Sequence, residues 1–114
     1  TLSIAIARGR PISQIVHQTK KIAVSIVAEN DFALMKKYAR GIGPDEDPFA
    51  GVQTLVSPGG IAVLKSSLGW LELKIIGQCD FGADHELVIG EVVAGDLLSS
   101  AEPMVHTRNS GFHY

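Results

Sequence analysis

Two arginines, Arg8 and Arg10, stand just before Pro11. Proline suits the first turn of a helix, where free N–H groups and the positive end of the peptide dipole favour an anion. Two guanidiniums there would add bidentate contacts to a phosphate; a solvated basic turn satisfies the same spacing. Asp84-His85 is a second candidate, since an imidazole beside a carboxylate can hold a polar ligand group or simply sit on an exposed turn. Phe49 follows an acidic loop and is placed either to fold over a planar cofactor or to anchor its own loop to the core. Cys79 has no base or cation beside it in sequence and reads as a small core-edge residue. His17, His85, His106 and His113 show no short metal-ligand spacing. Nucleophile elbows, phosphate-binding Walker loops and His-Glu-x-x-His are all missing, and Asp80-Phe81-Gly82 matches a kinase triplet with no other kinase element.

The elements that must position these residues follow from periodicity. Leu2, Ile4 and Ile6 alternate with Ser3, Ala5 and Ala7, which predicts a strand over 2–7. Ile12, Ile15 and Val16 have helical spacing after Pro11, and Lys20-Lys21 ends that helix. Residues 22–28 are apolar and β-branched, as in a buried strand. Asn30 or Asp31 can cap a second helix with Leu34, Met35 and Tyr38 as its buried face. Two prolines and an acidic cluster make 41–48 a loop, and Pro58-Gly59-Gly60 turns the chain into a short strand over 61–64. Residues 70–76 put Leu71, Leu73 and Ile75 on one side and Glu72 and Lys74 on the other, with Trp70 at core or interface. Across the turn 81–84 a second long strand, 85–93, completes a β-hairpin. From Ala101 the chain is irregular. At least five strands with two short helices predict a small barrel with helical insertions.

Composition narrows the classes. The 114 residues suit one domain; 46% are hydrophobic and 19% charged, a balance that supports a core and opposes disorder. Net charge is −2 and the ten basic residues are scattered, which argues against nucleic acid as a partner. The apolar runs are strand-sized, too short to span a membrane as helices. One cysteine excludes an intramolecular disulfide, and a reducing cytoplasm is the expected location. The chain enters its first strand directly at Thr1, which predicts a larger parent protein or removal of an initiator Met.

Several stretches together resemble the flavin-reductase family. The strand–Arg–helix opening is similar to its "v-a-v-x-x-x-R-x-x-x-x-l" segment, and KIAVSIVAE over 21–29 resembles its "F-v-l-N-v-L-a-e" strand. QCDFGADHELVIGEVV over 78–93 is similar to its "G-D-H-x-l-x-x-G-x-V" hairpin. Lys37-Tyr38 with Gly43-Pro44-Asp45-Glu46-Asp47-Pro48-Phe49-Ala50-Gly51-Val52 resembles the "K-Y-F…P-G-E-D-R-F-x-G-V" stretch of diflavin flavoproteins of the cyanobacterial, oxygen-reducing type. Val105-His106-Thr107-Arg108, then Ser110-Gly111 and Tyr114, is similar to their closing "v-H-h-R-k-x-G-x-x-Y".

The resemblance implies one partial domain over 1–114: mainly β with short helical insertions, a Greek-key split β-barrel of the FMN-binding type lacking its first strands. It implies an NAD(P)H:flavin oxidoreductase module within a longer chain. Electrons would pass from NAD(P)H through FMN to flavodoxin-like and diiron domains of the same parent, where oxygen is reduced to water. Hydride transfer to a flavin needs positioning and electrostatics rather than a protein nucleophile, which accounts for the missing catalytic templates. Carried over by position, Arg8 and Arg10 fall near the flavin phosphate, Phe49 near the ring, and His85 beside flavin and nicotinamide. Homodimerisation is a family expectation. Three departures stand out: Ser25 replaces the strand's Asn, Pro48 replaces the subfamily's Arg, and the "S-x-x-S-F-x-P-P" loop that cradles FMN lies upstream of Thr1. An incomplete pocket and an exposed barrel edge are the expected consequence. The alternative is a split-barrel or OB-like binding or dimerisation module with no redox activity.

Overall fold

The computed structural model describes residues 1–105. Six strands and two helices run in the order β1 (Leu2–Ala7), α1 (Pro11–Thr19), β2 (Lys21–Ile26), α2 (Phe32–Ala39), β3 (Thr54–Val56), β4 (Ala62–Leu64), β5 (Gly69–Cys79) and β6 (His85–Leu97). Four strands make an antiparallel sheet, ordered β1-β6-β5-β2, and β3-β4 form a separate hairpin. This curled half-barrel is the mainly β split-barrel architecture expected from sequence. The closing motif from His106 to Tyr114, and His113 with it, lies outside the described residues.

Side chains alternate across a strand, so the register sorts the sheet into two faces. On the inner face Ile6, Ile22, Leu73, Ile75 and Val88 pack with Val16 of α1 to make the core; Leu73, Val88 and Val16 are almost wholly enclosed. Gly90 faces this core because a Cβ there would stand 2.9 Å from that of Leu73. On the outer face the β3-β4 hairpin lies over β2, where Ser25 Oγ accepts from Leu64 N (3.1 Å). Ser25 is thus a tether between layers.

Two bulges shape the long hairpin. Ile75 pairs with Gly90 and Gly77 with Ile89, so Ile76 is an extra residue; likewise Val93 is extra between the pairs Leu73–Val92 and Glu72–Ala94. Both extra residues are apolar and exposed. The bulge at Ile76 resets the alternation, and Gln78 therefore shares the inner face with Ile75 and Val88.

The helices bury less than their spacing suggests. Val16 is enclosed, but Ile12 and Ile15 are about half exposed; in α2, Leu34 is buried while Met35 is exposed and Tyr38 only half-buried. Each helix buries a single apolar residue, and of the two only Val16 joins the core cluster. Asp31 is the cap of α2, its Oδ1 accepting from Leu34 N (3.1 Å). Helix α1 ends at Thr19, and Lys20 closes it in the left-handed conformation (φ 57°).

Candidate functional site

A cleft of about 510 Å³ opens where α1 meets the tip of the β5–β6 hairpin, lined by Arg8, Gly9, Ser13, His17, Gln78, Asp80 and Glu86. Register explains the convergence. Ile6 pairs with Glu86 and Val88 with Gln78, which puts Glu86 and Gln78 on the inner face at the end of the apolar core. Ser13 and His17 are one helical turn apart on α1 and meet them there.

Glu86 is buried, with 7% of its side chain exposed. It accepts from Ser13 Oγ at 2.6 Å and from His17 Nε2 at 2.9 and 2.8 Å. Ser13's hydrogen bond, then those and the charge of His17, hold the Glu86 carboxyl below the usual carboxylate range against the opposing effect of burial. Ser13 donates to the carboxylate rather than to the imidazole. These three side chains therefore do not form a nucleophile-activating triad.

Arg8 is locked to the hairpin. Its Nε donates to Ala83 O (2.6 Å), its Nη2 meets Asp80 Oδ1, and its backbone N donates to Asp84 O (2.9 Å). Its side chain is still 41% exposed, enough for a ligand anion to compete with Asp80. Arg10 is the N-cap of α1, and its side chain makes no capping bond. Its guanidinium instead leans toward Gly41, where a Cβ would sit 3.6 Å from Nη1.

His85 is the neighbour of Glu86 along β6 and pairs with Ala7, so it faces the outer side of the sheet. Its Nδ1 donates to Asp84 Oδ1 (3.1 Å), which leaves Nε2 as the acceptor nitrogen. That hydrogen bond is the largest cause holding Asp84 below the usual carboxylate range. Phe49 is exposed and sits in a loop braced by α2. Tyr38 OH donates to Pro48 O (2.9 Å), Lys37 Nζ to Ala50 O (3.0 Å), and Asp47 Oδ1 accepts from Phe49 N (2.9 Å). The Lys37-Tyr38 pair and the loop 43–52 are thus physically coupled.

Of the four residues singled out in sequence, Arg8 and His85 meet at the β1–β6 end but on opposite faces. Arg10 and Phe49 belong to neighbouring loops. Sequence reasoning missed Ser13, His17, Gln78 and Glu86. The sequence carried little signal for Glu86, because Leu87, Val88 and Ile89 are apolar on both faces of the strand and do not mark which side is inward.

Residues 1–113 match the family described as flavin reductase like domain, and the chain belongs to that family. It is 35% identical to diflavin flavoprotein A 6 of Nostoc sp., over 99% of this chain and 20% of that protein. The chain thus spans about a fifth of the length of the curated relatives it matches. The fold matches the NADH:FAD oxidoreductase SgcE6 of Streptomyces globisporus with TM-score 0.80 at 20% identity, covering 89% of this chain and 60% of that one. It also matches an FMN-binding protein from Thermus thermophilus (TM-score 0.70, 18% identity, 83% and 53% covered).

Proposed function

We propose that this chain is the NAD(P)H:flavin oxidoreductase module of a longer diflavin flavoprotein, with FMN as its cofactor. The observation that carries this reading is the family match along essentially the whole chain, joined to likeness with a diflavin flavoprotein over the same span. The residues present fit the phosphate end of a flavin nucleotide. Arg8, Arg10 and the uncapped start of α1 gather positive charge and donors at one turn. His85, with Nε2 as an acceptor, and Phe49 are the candidates toward the ring and nicotinamide.

When bound, FMN would accept a hydride from NAD(P)H. The protein's part is to orient: the arginine turn holds the anionic end, Asp84 fixes the tautomer of His85, and α2 fixes the loop carrying Phe49. In the parent protein the electrons would continue to flavodoxin-like and diiron domains and reduce oxygen to water. Homodimerisation and a cytoplasmic setting belong to the same reading.

Flavin fluorescence titration with FMN tests it, on this chain and on a version extended upstream by about fifty residues, the length of two or three further strands and their turns. Binding by the extended form, with NAD(P)H oxidation, is the expected result. Failure of both to bind would overturn the assignment.

A second reading, a non-catalytic binding or dimerisation module, is favoured by one feature. Residues 85–90 of β6 pair with β1, whereas 91–97 pair only with β5 among the described residues, and Val93 and Leu97 are exposed along that stretch. Flavin-supported NAD(P)H oxidation by the extended form would sink it.

A further inference from the structure

The polar cluster in the cleft continues past His17. Gln78 Nε2 lies 3.2 Å from His17 Nδ1, and Lys20 Nζ donates to Gln78 Oε1 at 3.0 Å. An ammonium has only donors, so Lys20 fixes which end of the Gln78 amide is the oxygen. The amide NH2 then faces His17 Nδ1, which must accept. Nε2 consequently carries the hydrogen and donates to both oxygens of Glu86. One directed chain runs from Lys20 through Gln78 and His17 to Glu86, with Ser13 entering from the other side. Each donor in it has a single acceptor direction, and only the imidazole can change that direction near neutral pH.

A proton on Nδ1 would set N–H against NH2. The Gln78 amide must then turn, which points its NH2 at the Lys20 ammonium. Two donors cannot bond, so the Lys20–Gln78 contact is lost while the His17–Glu86 contact becomes a full ion pair. The charged groups around the imidazole are Glu86 from β6, Arg8 beyond β1, Asp80 at the hairpin turn and Lys20 at the end of α1. Arg8 is engaged with Asp80, so Glu86 and Lys20 are the groups that answer the imidazole's charge.

We propose that Lys20, Gln78, His17 and Glu86 form a proton-responsive clamp between α1 and the β5–β6 hairpin. In its neutral state both ends of the helix face are tied, Ser13 and His17 to Glu86 and Lys20 to Gln78. In its protonated state the Glu86 end tightens and the Lys20 end lets go. Lys20 is also the residue held in the left-handed conformation, so release acts on the one non-glycine among the described residues with positive φ. The clamp is built wholly from this chain's side chains and is read out without a cofactor.

The test is 15N-detected imidazole NMR on this chain, with the Lys20 ε-methylene signals followed alongside. At about pH 8, above the ordinary imidazole titration, His17 should be the Nε2–H tautomer. On acidification the Lys20 ε-methylene signals should move in step with the His17 ring. In Gln78→Met, which keeps the Lys20 charge, His17 should take up its proton about half to one pH unit higher, the equivalent of one net hydrogen bond. In that variant and in His17→Gln the Lys20 signals should stay flat through the same range. An Nδ1–H tautomer at about pH 8 in the unaltered chain would overturn the clamp, and needs no variant to be seen. Lys20 signals indifferent to the His17 titration would overturn it equally.

Discussion

Two glutamates lie buried on opposite faces of the same sheet and do different work. Glu72, 5% exposed, faces outward from β5 and binds the turn that leads into β4: Gly59 N donates to its Oε2 at 3.0 Å, and Ser57 supplies the largest effect lowering its acidity range. Glu86 faces inward from β6 and binds α1. Each carboxylate pins a covering element to the sheet through charge-assisted hydrogen bonds. The partners of Glu72 are a hydroxyl and a backbone amide, with Lys21 adding its charge; those of Glu86 include an imidazole. One pin is fixed across the physiological range and the other can change state.

The comparison can be broken first at what the two pins share. Leu73 has no exposed surface and sits beside Glu72 in the strand whose inner face supports the cleft. Leu73→Ala should cost about 2–5 kcal/mol, measured by urea denaturation, and weaken both regions together. Next comes a change confined to the outer pin. A Cβ at Gly59 would run into the Glu72 carboxylate, so Gly59→Ala should cost about 1–3 kcal/mol and speed hydrogen exchange in β3 and β4 but not in α1.

Acid titration separates the pins more finely. Both carboxyls have folded acidities held below their unfolded range, so their contribution is present above that range and is lost as pH falls through the folded value. Glu72→Gln and Glu86→Gln should each flatten the acid limb of stability. Only Glu86→Gln should also change the pH dependence where imidazoles titrate, because it removes the partner of His17; equal profiles for the two variants would erase the distinction. The smallest effect is expected at Lys20. Lys20→Gly relieves a left-handed backbone worth about 1 kcal/mol, visible as a small rise in thermal midpoint offset by loss of the Gln78 contact.

The sheet was legible in sequence because β1 and β5 alternate, β2 is an apolar β-branched run and the hairpin has a clear turn; 85–93 lies within β6, and 70–76 within β5. Strand β3 was not, since Thr54, Leu55 and Val56 are too few to carry a period. Charge misled where packing decides. Glu72 reads as the polar side of its strand until a second hairpin covers it, and Glu86, within the strand expected over 85–93, is not singled out until α1 folds over it. Arg8 and His85 were each visible as chemistry, yet their placement on opposite faces depends on the pairing of Ala7 with His85. Gln78 was beyond reach: its face is set by a bulge at Ile76, and a bulge is a property of two strands together.

Strand β6 is thirteen residues long, at most about 40 Å at strand rise, and is interrupted only by the bulge at Val93. It joins its two ends through paired backbone, with one bulge and no loop between them. Among the described residues its far half, 91–97, pairs on one side only, and its near end bears His85 and Glu86 side by side. A strand added along the far half would therefore extend the same strand that aims both side chains, with the Val93 bulge as the one irregularity between them.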